Sequence, residues 1–222
     1  MLFVPTRNSA KRWAKLPAHP TFVGFAIIKT CLLAAHFAMS RYRRANVPGA
    51  TYFFTVVTYR RRSILCDDPV RAALRDAIKT VQSRHPFAID AWVLLPDHLH
   101  CIWTLPPGDA NNALRWSLIK RRVSLACANE YHRTDWMTAS KTKHRESTFW
   151  QRRYWEHCIT TDLDYAHHMD YIAINPVKHG LVTRVRDWPY STFHRDVAQG
   201  VYPLDWAGVF NMLDLPFAGE PL

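Results

Sequence analysis

His98 and His100 stand two apart in the segment PDHLHCIW. Side chains alternate between faces along a strand, so both imidazoles leave one face there and can meet a single ion. Leu99 and Ile102 are expected to face the opposite way, toward the core. Tyr171 and Asn175 lie four apart in HMDYIAINPVKHGLV, and on a helix that spacing puts the phenol and the amide on one face, about one turn apart. Neither pair is specific alone. Paired strand histidines are more often half-exposed surface residues than ligands, and a helical tyrosine is usually a packing residue. Together, in a strongly basic chain, they point to one chemistry. A divalent cation held by two imidazoles and an amide oxygen withdraws charge from a scissile phosphate, as attack by a neutral phenol requires. The tyrosine oxygen then forms a covalent phosphotyrosine and releases a 3′ hydroxyl, conserving the bond energy for a second strand to reclaim. Such chemistry needs no nucleotide cofactor, and the sequence shows no glycine-rich phosphate loop.

These residues must be carried by a fold. The run ATYFFTVVTY over 50–59 is rich in β-branched and aromatic residues and predicts a first strand. Asp67 or Asp68 with Pro69 starts a helix, and Val70, Ala73, Leu74, Ala77, Ile78 and Val81 recur at helical spacing until Pro86. Residues 87–95 and 98–105 predict two strands joined as a hairpin across the Pro96-Asp97 turn. Residues 109–132 suit a half-buried helix and 133–148 a loop. Residues 149–159 suit a fourth strand. A last helix starts at Asp162 or Asp164 and is expected to end near Asn175, before Pro176. The order is that of an α+β, ferredoxin-like split βαβ fold: an antiparallel sheet with an added C-terminal helix that carries Tyr171. One sheet face is expected to stay free for a substrate.

Lys and Arg number 29 against 18 Asp and Glu, a net charge of +11, which suits a partner that is a nucleic acid. The 48% hydrophobic content, with 9 Trp, excludes wholesale disorder. Four basic clusters are candidate DNA contacts: Arg41, Arg43 and Arg44; Arg60, Arg61 and Arg62; Lys120, Arg121 and Arg122; Arg152 and Arg153. They are expected to line one groove, with Tyr42, Trp116, Tyr154 and Trp155 available to stack on unpaired bases, although each aromatic is equally a core candidate. Lys178 is the candidate phosphate contact nearest the nucleophile. His157, His167 and His168 read as surface histidines. Five cysteines without a CxxC pair indicate neither a disulfide framework nor a zinc knuckle, and suit a reducing cytoplasm. The apolar stretch 22–38 is interrupted by Lys29 and is shorter than the roughly 20 residues of a bilayer span, so no membrane is expected. The chain is divided accordingly into an extension over 1–38, with Met39 as the functional start, a domain over 39–195 and a tail over 196–222.

PDHLHCIW followed by YIAINPVKHGLV resembles the HUH-type tyrosine transposases, specifically the REP-associated branch. RRANVPGATYFFTVVTYRRR and FWQRRYWEHCI are similar to that branch as well, so the resemblance spans residues 41–195. It implies a ferredoxin-like fold and Mg²⁺ or Mn²⁺ dependence, with Tyr171 as nucleophile, His98 and His100 as paired ligands and Asn175 near the cation. Relatives in mobile insertion sequences often carry glutamine at the Asn175 position, which leaves the third ligand open. The implied substrate is single-stranded or hairpin DNA, cut and rejoined beside repeated palindromic elements. The chain is a monomer or a homodimer on this reading, since some members exchange the tyrosine between subunits. Two other readings compete: a domesticated hairpin-DNA-binding protein without turnover, and an RNA-binding ferredoxin-like module. The second lacks the expected aromatic consensus on the sheet.

Overall fold

Two-sided burial of the central strands organises this molecule. The structure is a computed structural model that describes residues 46–207. Strands β1 (Thr51–Val57), β2 (Ala88–Leu94), β3 (His98–Thr104) and β4 (Trp155–Ile159) form one sheet in the order β2-β3-β1-β4. Every pairing is antiparallel. Helix α1 (Asp68–Arg84) follows β1, and α2 (Asn112–Ala126) follows β3, which is the expected split βαβ order. Pro69 sits in the first turn of α1, where its missing N–H is harmless. The Asn111 side chain caps α2 by accepting from the Leu114 N–H at 3.0 Å.

On one face Tyr52, Phe54 and Val56 of β1 and Leu99, Cys101 and Trp103 of β3 meet Val70, Leu74 and Ile78 of α1 and Trp116 and Ile119 of α2. Trp103 stacks on Trp116 with ring centroids 4.1 Å apart and planes 15° apart. Trp116 is therefore core and not a stacking surface for DNA, because α2 turns the face bearing residues 116, 119 and 123 inward. Trp116→Ala should cost about 3–5 kcal/mol of stability, the usual penalty for emptying a large aromatic site. Urea unfolding monitored by far-UV circular dichroism reads this directly, and a loss below 1 kcal/mol would contradict it.

The other face is not free, contrary to expectation. Helix α5 (Asp162–Lys178) lies across it, and Phe53, Ala91, Val93 and Ile102 pack against Met169, Tyr171, Ile172 and Ile174, joined by Val185, Phe193 and Tyr202 from the segment that follows. The reason is visible in β1, whose Tyr52–Val57 stretch is buried without interruption. A continuous apolar run marks a strand covered on both sides, whereas a half-solvated strand alternates. Ile102 is likewise corrected: it shares the face of His98 and His100, as the strand period of two requires, while Leu99 points into the α1 and α2 side.

Several boundaries differ. The helix expected over 109–132 breaks after Ala126, and a short α3 (Ala128–Tyr131) follows. The expected loop contains α4 (Ala139–Lys143). Strand β4 begins only at Trp155, while Phe149 and Trp150 are packed in the core. A last short helix, α6 (Phe193–Ala198), closes the second face. Helix α5 runs through Pro176 to Lys178: so near a C-terminus, proline forfeits one bond to the carbonyl four residues back. The end is then sealed by Gly180 at φ +66°, whose N–H donates to Val177 O, and by Leu181 N–H donating to Pro176 O.

Candidate active site

Strand β3 starts at His98 and is threaded between β2 and β1, so its two histidines enter the interface under α5 already oriented. The imidazole centroids are 4.9 Å apart, and both side chains are buried. His100 stands opposite Thr55 in the β1 register, and its Nδ1 is hydrogen-bonded to Thr55 Oγ1 at 2.8 Å. His98 Nδ1 donates to the Asp97 carboxylate at 2.6 Å. Both contacts engage Nδ1. When Nδ1 carries the proton, Nε2 presents its lone pair, the arrangement in which an outer carboxylate or hydroxyl orients a metal-ligating histidine.

Burial pushes the Asp97 carboxyl up, but hydrogen bonds and charge from His98 and Arg61 outweigh it and hold the group below the usual carboxylate range. Asp97 therefore stays anionic and keeps His98 in one tautomer. Arg61, bonded to Asp97 at 3.0 Å, reaches it from a turn in which Arg60 and Arg61 both adopt left-handed backbone angles, φ 58° and 50°. Such conformations cost non-glycine residues on the order of 1 kcal/mol and concentrate at functional sites. Thr55 and Asp97 were not legible as site residues: Thr55 needs the sheet register, although Asp97 stands beside His98 in the motif.

Tyr171 and Asn175 come from the buried face of α5. The Tyr171 ring meets the His100 ring edge to face at 5.2 Å and the Phe53 ring at 5.9 Å. Lys178, two turns on, donates from Nζ to the Tyr171 hydroxyl at 3.3 Å and lies 4.9 Å from the centre of its ring. Asn175 is fully buried, and neither its amide oxygen nor its amide nitrogen has a hydrogen-bond partner among the described residues. A buried amide left so costs about 1–3 kcal/mol, and a cation beside the two imidazoles would satisfy its oxygen. The donor set thus fits a divalent ion: two imidazole Nε2 atoms and an amide oxygen. Asp97→Asn and Thr55→Val should each weaken cation affinity about 10–100-fold by loosening ligand orientation. Calorimetric titration with Mn²⁺ would show this, and unchanged affinity in both variants would refute it.

The basic clusters that fall among the described residues make different contacts. Lys120, Arg121 and Arg152 border a cavity of about 570 Å³ with Trp150 and Tyr154, whereas Arg60, Arg61, Arg62, Arg122 and Arg153 do not line it. Lys120 donates to the Gln151 and Arg152 carbonyls, and Arg152 pairs with Glu146. Arg60 and Arg62 instead lie over the Trp136 ring, at 4.7 and 5.3 Å. Arg41, Arg43, Arg44 and Tyr42 lie outside the described residues, as do the whole of the expected extension and residues 208–222 of the expected tail.

Of the three histidines expected at the surface, His167 is exposed while His157 and His168 are half-buried. His157 Nε2 and His168 Nδ1 reach the Asp164 carboxylate at 2.8 and 3.0 Å. Burial lowers the His168 imidazole below its ordinary range, against the opposing pull of Asp164. Burial would raise Asp164, but the hydrogen bonds from His157 and the Thr160 N–H keep it low.

No described helix is long and apolar enough to cross a membrane. The family model described as "Transposase IS200 like" matches residues 46–175. A REP-associated tyrosine transposase of Escherichia coli (strain K12) is 50% identical over 170 residues, covering 77% of this chain and 92% of that protein. A Haemophilus influenzae relative is 44% identical over 170 residues, with 77% and 94% coverage. A solved structure of a REP-associated tyrosine transposase bound to a REP hairpin superposes with a TM-score of 0.68 at 47% identity, covering 83% of this chain and 99% of that one. With the matched region spanning both the histidine strand and the tyrosine helix, this chain belongs to the IS200-like transposases, in their REP-associated tyrosine branch.

Proposed function

We propose that this chain is a divalent-cation-dependent transposase-like endonuclease that cuts and rejoins single-stranded or hairpin DNA through a covalent 5′-phosphotyrosine on Tyr171. The observation that carries it is the Tyr171 ring seated 5.2 Å from His100, one helical turn from an Asn175 amide that no described residue satisfies. His98, His100 and Asn175 would hold the Mg²⁺ or Mn²⁺ ion. When bound, that ion supplies Lewis-acid withdrawal of charge from the scissile phosphate.

The remaining roles fall to the protein. Tyr171 is packed against His100 and Phe53, so the phenol oxygen is aimed rather than swept by rotation. Its oxygen bonds to phosphorus while the bond from phosphorus to the 3′ oxygen breaks, and the departing strand leaves with a 3′ hydroxyl. Lys178 places positive charge beside the phenol oxygen as it gives up its proton. Rejoining is the reverse, a 3′ hydroxyl displacing the tyrosine. A hairpin beside a palindromic repeat is the substrate favoured by likeness to the relative solved with a REP hairpin. Lys120, Arg121 and Arg152 around their cavity, and Arg61 beside Asp97 with Arg60 and Arg62 over Trp136, are described candidates for holding its phosphates.

Incubation with an end-labelled hairpin oligonucleotide and Mg²⁺ tests this. A covalent adduct that survives denaturation, and that a chelator prevents, is the expected result. Tight binding with no adduct would favour the hairpin-binding protein without turnover.

A further inference from the structure

Beside the helix that carries Tyr171 lies a second group of donor atoms for which the proposed chemistry has no use. His157 comes from β4, Asp164 from the first turn of α5 and His168 from the next turn. One ligand atom from each lies within 4.8 Å of the others. We propose that His157, Asp164 and His168 form a second cation site, built for a borderline transition metal such as zinc or cobalt(II).

The geometry supports coordination over a simple surface ion pair. His157 Nε2 lies 2.8 Å from Asp164 Oδ2 and His168 Nδ1 lies 3.0 Å from Oδ1; a tetrahedral ion with bonds of about 2.05 Å needs donors about 3.3 Å apart, so small side-chain shifts bring both nitrogens and one carboxylate oxygen around a single ion. Asp164 and His168 are four apart on α5, so helical geometry alone places them on one face. Both rings are held by packing. His157 lies parallel to Trp155, with planes 9° apart, and His168 lies 4.6 Å from Phe53. The Thr160 N–H donates to Asp164 Oδ2 at 3.2 Å and orients the carboxylate from behind. The cluster is half-buried and not sealed, so an ion has a way in.

Two imidazoles and one carboxylate, with a water to complete the shell, suit zinc, cobalt or nickel better than the all-oxygen shell that magnesium prefers. His168 Nδ1 also lies 2.8 Å from the Asp164 carbonyl. Metal binding there moves the ring proton from Nδ1 to Nε2 and leaves the imidazole neutral. A metal so held ties β4 to the first two turns of α5 and fixes the base of the helix that presents Tyr171. It does not touch the reacting atoms. The inference is independent of the cation assigned to His98 and His100.

The test therefore separates the two sites. Equilibrium dialysis against Co²⁺ with metal quantification would be run on the full chain, on His98→Ala/His100→Ala, and on that protein carrying Asp164→Asn or His157→Gln as well. The expected result is one cobalt per chain in the His98→Ala/His100→Ala protein, with visible absorption bands of low-symmetry cobalt and a higher melting temperature. All three are lost on adding Asp164→Asn or His157→Gln, while circular dichroism shows the fold retained. His157→Gln is the control for folding, since that side chain is the most exposed of the three. Absence of cobalt from the His98→Ala/His100→Ala protein, or cobalt kept by both added variants, would overturn the proposal. Failure of the other site's assignment shows differently, as equal cobalt in the full chain and in His98→Ala/His100→Ala.

Discussion

Tyr171→Phe yields no covalent protein–DNA adduct and lowers hairpin cleavage by at least about 10⁴-fold, the order expected when a nucleophile is deleted from a concerted site. The substitution removes one oxygen. The ring keeps its edge-to-face contact with His100 and its packing on Phe53, so neither the helix nor the cation ligands lose support. Lys178 loses a partner at 3.3 Å but stays half-buried at the helix end. Hairpin affinity should therefore change little, because phosphate contacts made elsewhere dominate binding. Denaturing gel electrophoresis after incubation with labelled hairpin reads the adduct, and a filter-binding titration reads affinity. An adduct of undiminished yield in Tyr171→Phe would remove Tyr171 from the nucleophile's role.

The second large effect belongs to the histidines. His100→Ala should reduce cleavage by about 10³-fold, since withdrawal of charge from the phosphate is worth several kcal/mol. A chelator should produce the same loss in the unaltered protein, and added Mn²⁺ should restore that protein but not the variant. His100 is fully buried and hydrogen-bonded to Thr55, so the variant also leaves a cavity and an unsatisfied hydroxyl, costing about 1–3 kcal/mol for the hydroxyl alone. Activity should be compared at a temperature where circular dichroism shows both proteins folded. Cleavage by His100→Ala at the unaltered rate, indifferent to chelator, would sink the cation's role.

The histidine pair and the Tyr171 to Asn175 spacing were legible because each lies on one regular element, where a period of two or of 3.6 converts sequence separation into a shared face. The same rule, applied consistently, puts Ile102 beside the histidines. Thr55 was beyond reach: it meets His100 through a strand pairing that joins residues 45 apart, and spacing carries no register. Coverage of the second face is foreshadowed in the apolar stretch of β1, interrupted only by Thr55, but that stretch does not say which element covers it. Trp116 was undecidable between core and platform, because aromatic residues serve both. In sequence Pro176 reads as a terminator that ends the helix near Asn175, whereas in the last turn of α5 it forfeits only one bond.

The complete burial of His100 and Asn175 bears on how such a chain loses its activity over generations. A replacement at either position empties part of a close-packed interior, so stability falls together with chemistry and selection for a stable binder disfavours both kinds of loss. At Tyr171 the hydroxyl alone can vanish while the aromatic volume stays. A lineage that keeps its DNA grip and abandons cutting would therefore cross most easily at that one oxygen, with its histidines intact as structural residues.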